Sequence, residues 1–276
     1  MVVGWVVIYP ILRTLWMSFF NIDSPQPGKY PFVGLGNYFQ AFSSSDFRMV
    51  VGHSLYFTLV STFFELSLGI LIALLLNAPL KFLGVWRSLV VIPWALPTIV
   101  NGALWRWIYN DHYGVLNALL HTTHISKEPH FWLGSPFLAL NMVIIADVWK
   151  NTSLVVFFIL AGLQTIPKDL YESARVDGAS PIKAFWNITV PLLLPSIMVV
   201  LILRTIDAFK VFDIIYIMTK GGPASGTQTI SFYTYQQTFS NEYFGYGSAL
   251  AYLIVAVILV MAWFYIKALR QDELED

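Results

Sequence analysis

The sequence predicts an all-α membrane protein with six transmembrane helices. Three observations carry this. Only 12% of its 276 residues are charged, against about 25% in soluble domains. Mean hydropathy is +0.65. Six apolar stretches, roughly 1–20, 54–76, 88–109, 136–163, 192–218 and 244–268, each approach or exceed the ~20 residues that cross the hydrocarbon layer. The whole chain, 1–276, reads as a single membrane domain. Zero net charge offers nucleic acid no bulk attraction, and the absence of cysteine excludes disulfides and thiolate metal sites. Aromatics reach 16%, ten of them Trp, which suits belts at the two interfaces.

The first stretch has neither a leading basic segment nor a small-residue cleavage site. It reads as a retained helix, shortened at its N-terminus, and not as a signal peptide. Pro10, Pro93, Pro97 and Pro195 fall within or at the ends of spans, where neighbouring helices can satisfy the backbone groups they free. With both termini on one side, the loops of that side hold Lys81, Arg87, Lys168, Arg175, Lys183, Lys267 and Arg270; the others hold Lys29, Arg48, Lys127 and Lys220. Seven against four places both termini in the cytoplasm. The segment 21–52, rich in Gly, Pro and Ser, and the Gly221-Gly222-Pro223 region, read as a flexible loop, then lie outside. His112, His121, His124 and His130 make another outer loop histidine-rich. Their spacing is loose and acids are few, so a solvated loop is expected and no metal site. The terminal QDELED stretch reads as a solvated end.

The loop 164–191 is the most polar long stretch. Pro167 suits a first helical turn, and Lys168 to Val176 has helix-forming composition. Leu170, Tyr171 and Ala174 share a face, and Glu172 and Arg175 are spaced for a weak ion pair. Gly178 can take the left-handed conformation that ends a helix. Ser180 and Pro181 offer a new cap and first turn, for a second helix to about Ile188 that Pro191 breaks. On spacing alone this is either a built cytoplasmic contact or a helix pair lying on headgroups.

Charges also occur inside spans, where each costs at least ~2.5–3.5 kcal/mol on insertion scales. Glu65 is mid-span. Asp147 and Lys150 sit beside Asn151, and Arg204, Asp207 and Lys210 recur every third residue. Such groups are expected to face a wet cavity or one another. The pairs expected are Arg204 with Asp207, or Asp147 with Lys210, and Trp149 and Phe209 stand near enough to flank a bound solute.

Glu172-Ser173-Ala174, Asp177-Gly178-Ala179, Phe185, Ile188 and Pro191 together resemble the cytoplasmic EAA loop of permease subunits of ATP-binding-cassette importers. Ser173 and Val190 are mild departures from that pattern. Gly34-Leu-Gly-Asn-Tyr38, Ile166-Pro167, Phe212-Asp213, Thr219-Lys-Gly-Gly-Pro223 and Phe244-Gly-Tyr-Gly247 extend the resemblance to the carbohydrate branch. It implies the type I importer permease fold, with 164–191 as a coupling helix, in a bacterial or archaeal plasma membrane. It implies a second homologous permease, two cytoplasmic ATP-binding subunits and an extracytoplasmic sugar-binding protein as partners, besides membrane lipid. Tyr171, Glu172, Ala174, Asp177, Gly178, Ala179 and Phe185 would carry the ATPase contact. Asp147, Lys150, Asn151, Arg204 and Asp207 stand in or close to the sugar-binding positions. Trehalose or maltose is the substrate expected, with glycerol phosphate or another polar solute as the alternative.

No phosphate-binding G-x-x-x-x-G-K-[ST] occurs. The chain is therefore expected to be no enzyme and to bind no cofactor itself, ATP and Mg being used by the partner subunits. An intramembrane enzyme, the rival of another class, would need His-Glu-x-x-His, which is absent, or a serine beside a base, for which no local motif speaks. A carrier working alone would be expected to show internal repeats, and none is visible.

Overall fold

A computed structural model describes residues 4–23, 28, 30–79, 81–126 and 128–275, with side chains as far as Lys267. Met1, Lys29, Lys127, the side chain of Arg270 and those of the QDELED stretch lie outside the described residues. Among the described residues the chain is helical, with two isolated β-bridges and no strand.

The first apolar stretch forms a wide turn at Gly4–Ile8 running into α1 (Tyr9–Ser18). The segment after it includes regular structure among its described residues from 30 onward. It contains α2 (Gly36–Ser43), tied down by Asn37, whose amide donates to the carbonyls of Ser18 and Phe20 at 2.8 and 3.0 Å. Ser44 then caps α3 (Ser45–Asn77), its hydroxyl accepting from the Phe47 amide, with Asp46 complementing the helix dipole. The second predicted span is thus the inner part of a 33-residue helix.

The third predicted span is not one helix. It is α4 (Leu83–Ala95) and α5 (Thr98–Ile108), bent by 96°. The cause is Pro97, which drives the preceding Leu96 out of the helical region (φ −73°, ψ 133°). A short α6 (Val115–Thr122) leads to α7 (Pro136–Thr165), which opens on a proline at its first position.

The loop 164–191 holds α8 (Lys168–Val176), the Gly178 corner, and α9 (Pro181–Ala184). Pro191 does not break the chain's helical course. A wide turn, Phe185–Thr189, joins α9 to α10 (Val190–Phe209), so that Pro181–Phe209 runs 29 residues as one helix. The wide turn moves the backbone bonds from i−4 to i−5, as when the Val190 amide bonds the Phe185 carbonyl. That accommodates a residue with no amide hydrogen and a ring that crowds the preceding turn. The fifth predicted span instead ends early, at Phe209, and α11 (Asp213–Met218) is a separate helix. The Thr229 hydroxyl takes the Val211 carbonyl at 2.8 Å, an acceptor a continuous helix would have used internally. Last come α12 (Ile230–Tyr235), a wide turn at Gln236–Ser240, and α13 (Phe244–Glu275).

Among the described residues four helices are long and apolar enough to cross a bilayer, with α9 and α10 taken as one, and counting the bent pair as a single span gives five. α3, α7 and α10 form the centre. Lipid is as apolar as leucine, so burial does not drive helices together here; close packing and polar contacts do. The buried face of α3 accordingly carries Ser54, Thr58, Ser61, Gly69 and Ala73. At Gly69 a β-carbon would collide with Val155 of α7. The Gly221 loop is not loose either. Thr227, fully buried, bonds Thr219 at 2.7 Å and the Gly222 carbonyl at 2.8 Å.

Candidate functional site

Two places in the fold concentrate polar chemistry. The first is a cavity of about 360 Å³ between α4, α5, α7, α10 and α11, within the ~300–1,000 Å³ of small-molecule pockets. Asp147, Lys150, Asn151, Arg204 and Asp207 all line it. So do Trp94 and Thr98, on either side of the α4–α5 bend, and Lys210, Phe212 and Asp213, at the α10–α11 break. Both interrupted helices are interrupted at this cavity, where irregular backbone at membrane depth is tolerable because a wet space can solvate it.

The pairing inside differs in part from that expected. Arg204, 4% exposed, is gripped by Glu65, which is fully buried: its Nε donates to Oε2 at 2.6 Å and its Nη2 to Oε1 at 2.9 Å. This is a bidentate, charge-assisted pair. The same Nη2 reaches Asp147 at 3.4 Å, and Asn151 donates to Asp147 at 2.9 Å. The expected pair of Arg204 with Asp207 is present but long, at 4.0 Å, and Asp207 is held more closely by Lys210 at 3.0 Å, where both are half-exposed. Asp147 and Lys210 do not pair, because Lys210 lies past the end of α10 and turns back to Asp207 one turn earlier. Among the described residues Lys150 makes no ion pair. Glu65, the anchor of the network, has only its mid-span charge to mark it in the sequence. Neither Trp149 nor Phe209 reaches the cavity: Trp149 packs edge-on against Trp105, and Phe209 is buried in the core. Trp94 and Phe212 supply its rings.

The second place is the elbow at α8–α9. The Ala179 amide bonds the Ala174 carbonyl at 2.8 Å and the Gly178 amide that of Arg175 at 3.1 Å, the paired bonds of a Schellman ending. Gly178 has φ +77°, with open space where a β-carbon would go, so backbone strain alone selects glycine there. Tyr171, Ala174, Ala179 and Phe185 line a cavity of about 520 Å³ behind the elbow, while Glu172, Asp177 and Gly178 are exposed. Glu172 and Arg175 form no ion pair within 4.0 Å; both are exposed, where such a pair is worth little. Val176, Ile182 and Trp186 add exposed apolar surface. The Tyr171 hydroxyl bonds that of Thr189 at 2.9 Å, fastening α8 to the wide turn below α10. From Thr189 to Arg204 the helix rises roughly 22 Å. One unbroken rod thus links elbow and cavity.

The profile of the family described as binding-protein-dependent transport system inner membrane component matches residues 65–269, a stretch that includes both places. This chain belongs to that family. The permease is 44% identical over 264 residues to the trehalose/maltose transport system permease protein MalF of Thermococcus litoralis, covering 96% of this chain and 88% of the relative. It is 38% identical over 268 residues to the sulfoquinovosyl glycerol transport system permease protein SmoG of Agrobacterium fabrum, covering 97% and 86%. Among solved structures, a chain of a bacterial ABC transporter for import of the acidic polysaccharide alginate superposes with a TM-score of 0.84 at 24% identity, covering 98% of the permease and 92% of that chain. The permease therefore has the type I ABC importer permease fold, and it is a membrane-spanning transport subunit.

Proposed function

We propose that this permease forms half of the translocation path of an ATP-driven importer for a neutral disaccharide of the trehalose or maltose kind. The observation that carries the reading is the balance of the cavity: three carboxylates, Asp147, Asp207 and Asp213, against three cations, Lys150, Arg204 and Lys210. Such a wall gives hydroxyls hydrogen bonds roughly twice as strong as neutral ones, from donors and acceptors alike. The trehalose/maltose relative at 44% identity supports the same solute class.

The working assembly pairs the chain with a second permease, two cytoplasmic ATPase subunits that use ATP and Mg, and an extracytoplasmic binding protein. Both termini face the cytoplasm. The elbow residues Tyr171, Glu172, Ala174, Asp177, Gly178, Ala179 and Phe185 take the push of the ATPases and α10 delivers it to Arg204. The chain itself has no nucleotide-hydrolysing role.

A second reading, an anionic glycoside, is favoured by Lys150, which makes no ion pair among the described residues, and by the sulfoquinovosyl glycerol relative. The test is uptake by the reconstituted complex with a panel of neutral and anionic sugars. Saturable uptake of a neutral disaccharide, with ATPase stimulation by the loaded binding protein, is expected; inertness to every neutral member would overturn the first reading. In Lys150→Met, selective loss of anionic uptake would establish the second. Arg204→Ala is a poor probe of the site, because it strands Glu65 without its partner.

A further inference from the structure

Beyond the cavity wall, at the end of the molecule away from the elbow, four aromatic rings adjoin one another. Phe212, itself part of the wall, stacks on Tyr216 at 5.5 Å and meets Tyr235 at 5.0 Å. Tyr216 contacts Tyr235 at 5.7 Å, and Tyr235 contacts Phe239 at 5.4 Å. The series leads from the half-buried Phe212 outward to Phe239, which is 66% exposed.

Rings that only packed the core would be buried, as Phe232 behind them is; Tyr216 is 38% exposed. Rings of an interfacial belt are anchors facing lipid headgroups and need no contact with one another or with a cavity; these touch in series, and the innermost, Phe212, lines the cavity. Amides follow Tyr235 along the chain. Gln236 accepts from Gln228 at 2.9 Å and Gln237 from Asn241 at 3.1 Å. Aromatic faces beside amides match a pyranose, which has an apolar C–H face and a rim of hydroxyls.

We propose that Phe212, Tyr216, Tyr235 and Phe239 form an aromatic track along which a pyranose slides into the charged cavity. The proposal rests on the sugar reading above. Ring faces suit this task because they attract every sugar unit in turn without fixing its orientation, so passage meets no deep well.

The test is uptake of maltose and maltotriose by proteoliposomes of the assembled complex carrying Tyr235→Leu or Phe239→Leu. Each keeps apolar bulk and removes the face. Each is expected to raise KM about two- to tenfold, the loss of one ring-face contact, and more for the trisaccharide. Tyr235→Trp and Phe239→Tyr, which keep a face, are expected to restore it. Unchanged KM in both leucine variants would overturn the track while leaving the sugar reading intact, provided the wild type takes up maltose. Lower recovery of the complex at unchanged KM would assign the rings to packing or lipid and overturn it equally. A wild type that moves no sugar would overturn both.

Discussion

The cavity and the elbow are both polar places in an apolar chain, yet they are held in opposite ways. The Glu65–Arg204 pair joins helices 139 residues apart and is out of water. The elbow is shaped by bonds between neighbours, Ala174 to Ala179, with open space around its corner. A site whose charges must survive in low dielectric depends on the whole bundle. An elbow in open space, as a contact for a soluble partner would be, needs little beyond a local backbone rule.

That contrast can be broken or sharpened by variants at each place. The largest effect is expected from Glu65→Ala, which leaves Arg204 buried without its main partner and costs about 3–5 kcal/mol. Thermal unfolding in detergent measures it, and Glu65→Leu with Arg204→Met is expected to recover most of the loss. A double variant no more stable than the single one would show that the pair does not organise the centre. At the elbow, Gly178→Ala carries roughly 1–2 kcal/mol of left-handed strain, and Gly178→Pro cannot adopt φ +77° at all. Both are expected to insert normally, with ATPase stimulation reduced in the first and abolished in the second; full stimulation in the proline variant would remove the elbow from the coupling path. Tyr171→Phe deletes one hydrogen bond, about 0.5–1.5 kcal/mol, and is expected to weaken coupling at unchanged solute affinity, read as ATP consumed per solute imported. Lys210→Ala is the smallest: its pair with Asp207 is half-exposed, so stability is expected to move by about 1 kcal/mol or less, as a shift in the same unfolding midpoint.

The elbow is legible in the sequence for the reason it is local. Lys168 to Val176, the glycine corner and the Ser180 cap each arise from residues within a few positions. The cavity is half legible. Charge inside a span marks four of its five predicted residues, with Asn151 beside two of them, but spacing along one helix suggests partners on that helix, and the strongest bond of Arg204 goes to another. Two prolines reverse their expected roles, while Pro93 and Pro195 sit inside helices as expected. Pro97 is expected to be absorbed by its neighbours, and it breaks the span by pushing Leu96 into an extended conformation. Pro191 is expected to stop a helix, and the wide turn Phe185–Thr189 absorbs it. Steric rules state what a proline forbids to its neighbours. Whether a turn widens to accept it is decided by the helix on both sides, which composition does not reveal. The buried threonines that order the Gly221 loop are invisible for a similar reason, since their partners are set by folding.

The Schellman bonds within 174–179 have one more consequence. Because the corner makes its own hydrogen bonds and meets the bundle mainly through Tyr171, by its anchoring bond to Thr189 and its packing on the apolar core, residues 168–181 are expected to behave as an exchangeable cassette. Grafted onto a permease of the same fold that keeps a hydroxyl at that anchor, they are expected to transfer the choice of ATPase while leaving the choice of cargo with the host.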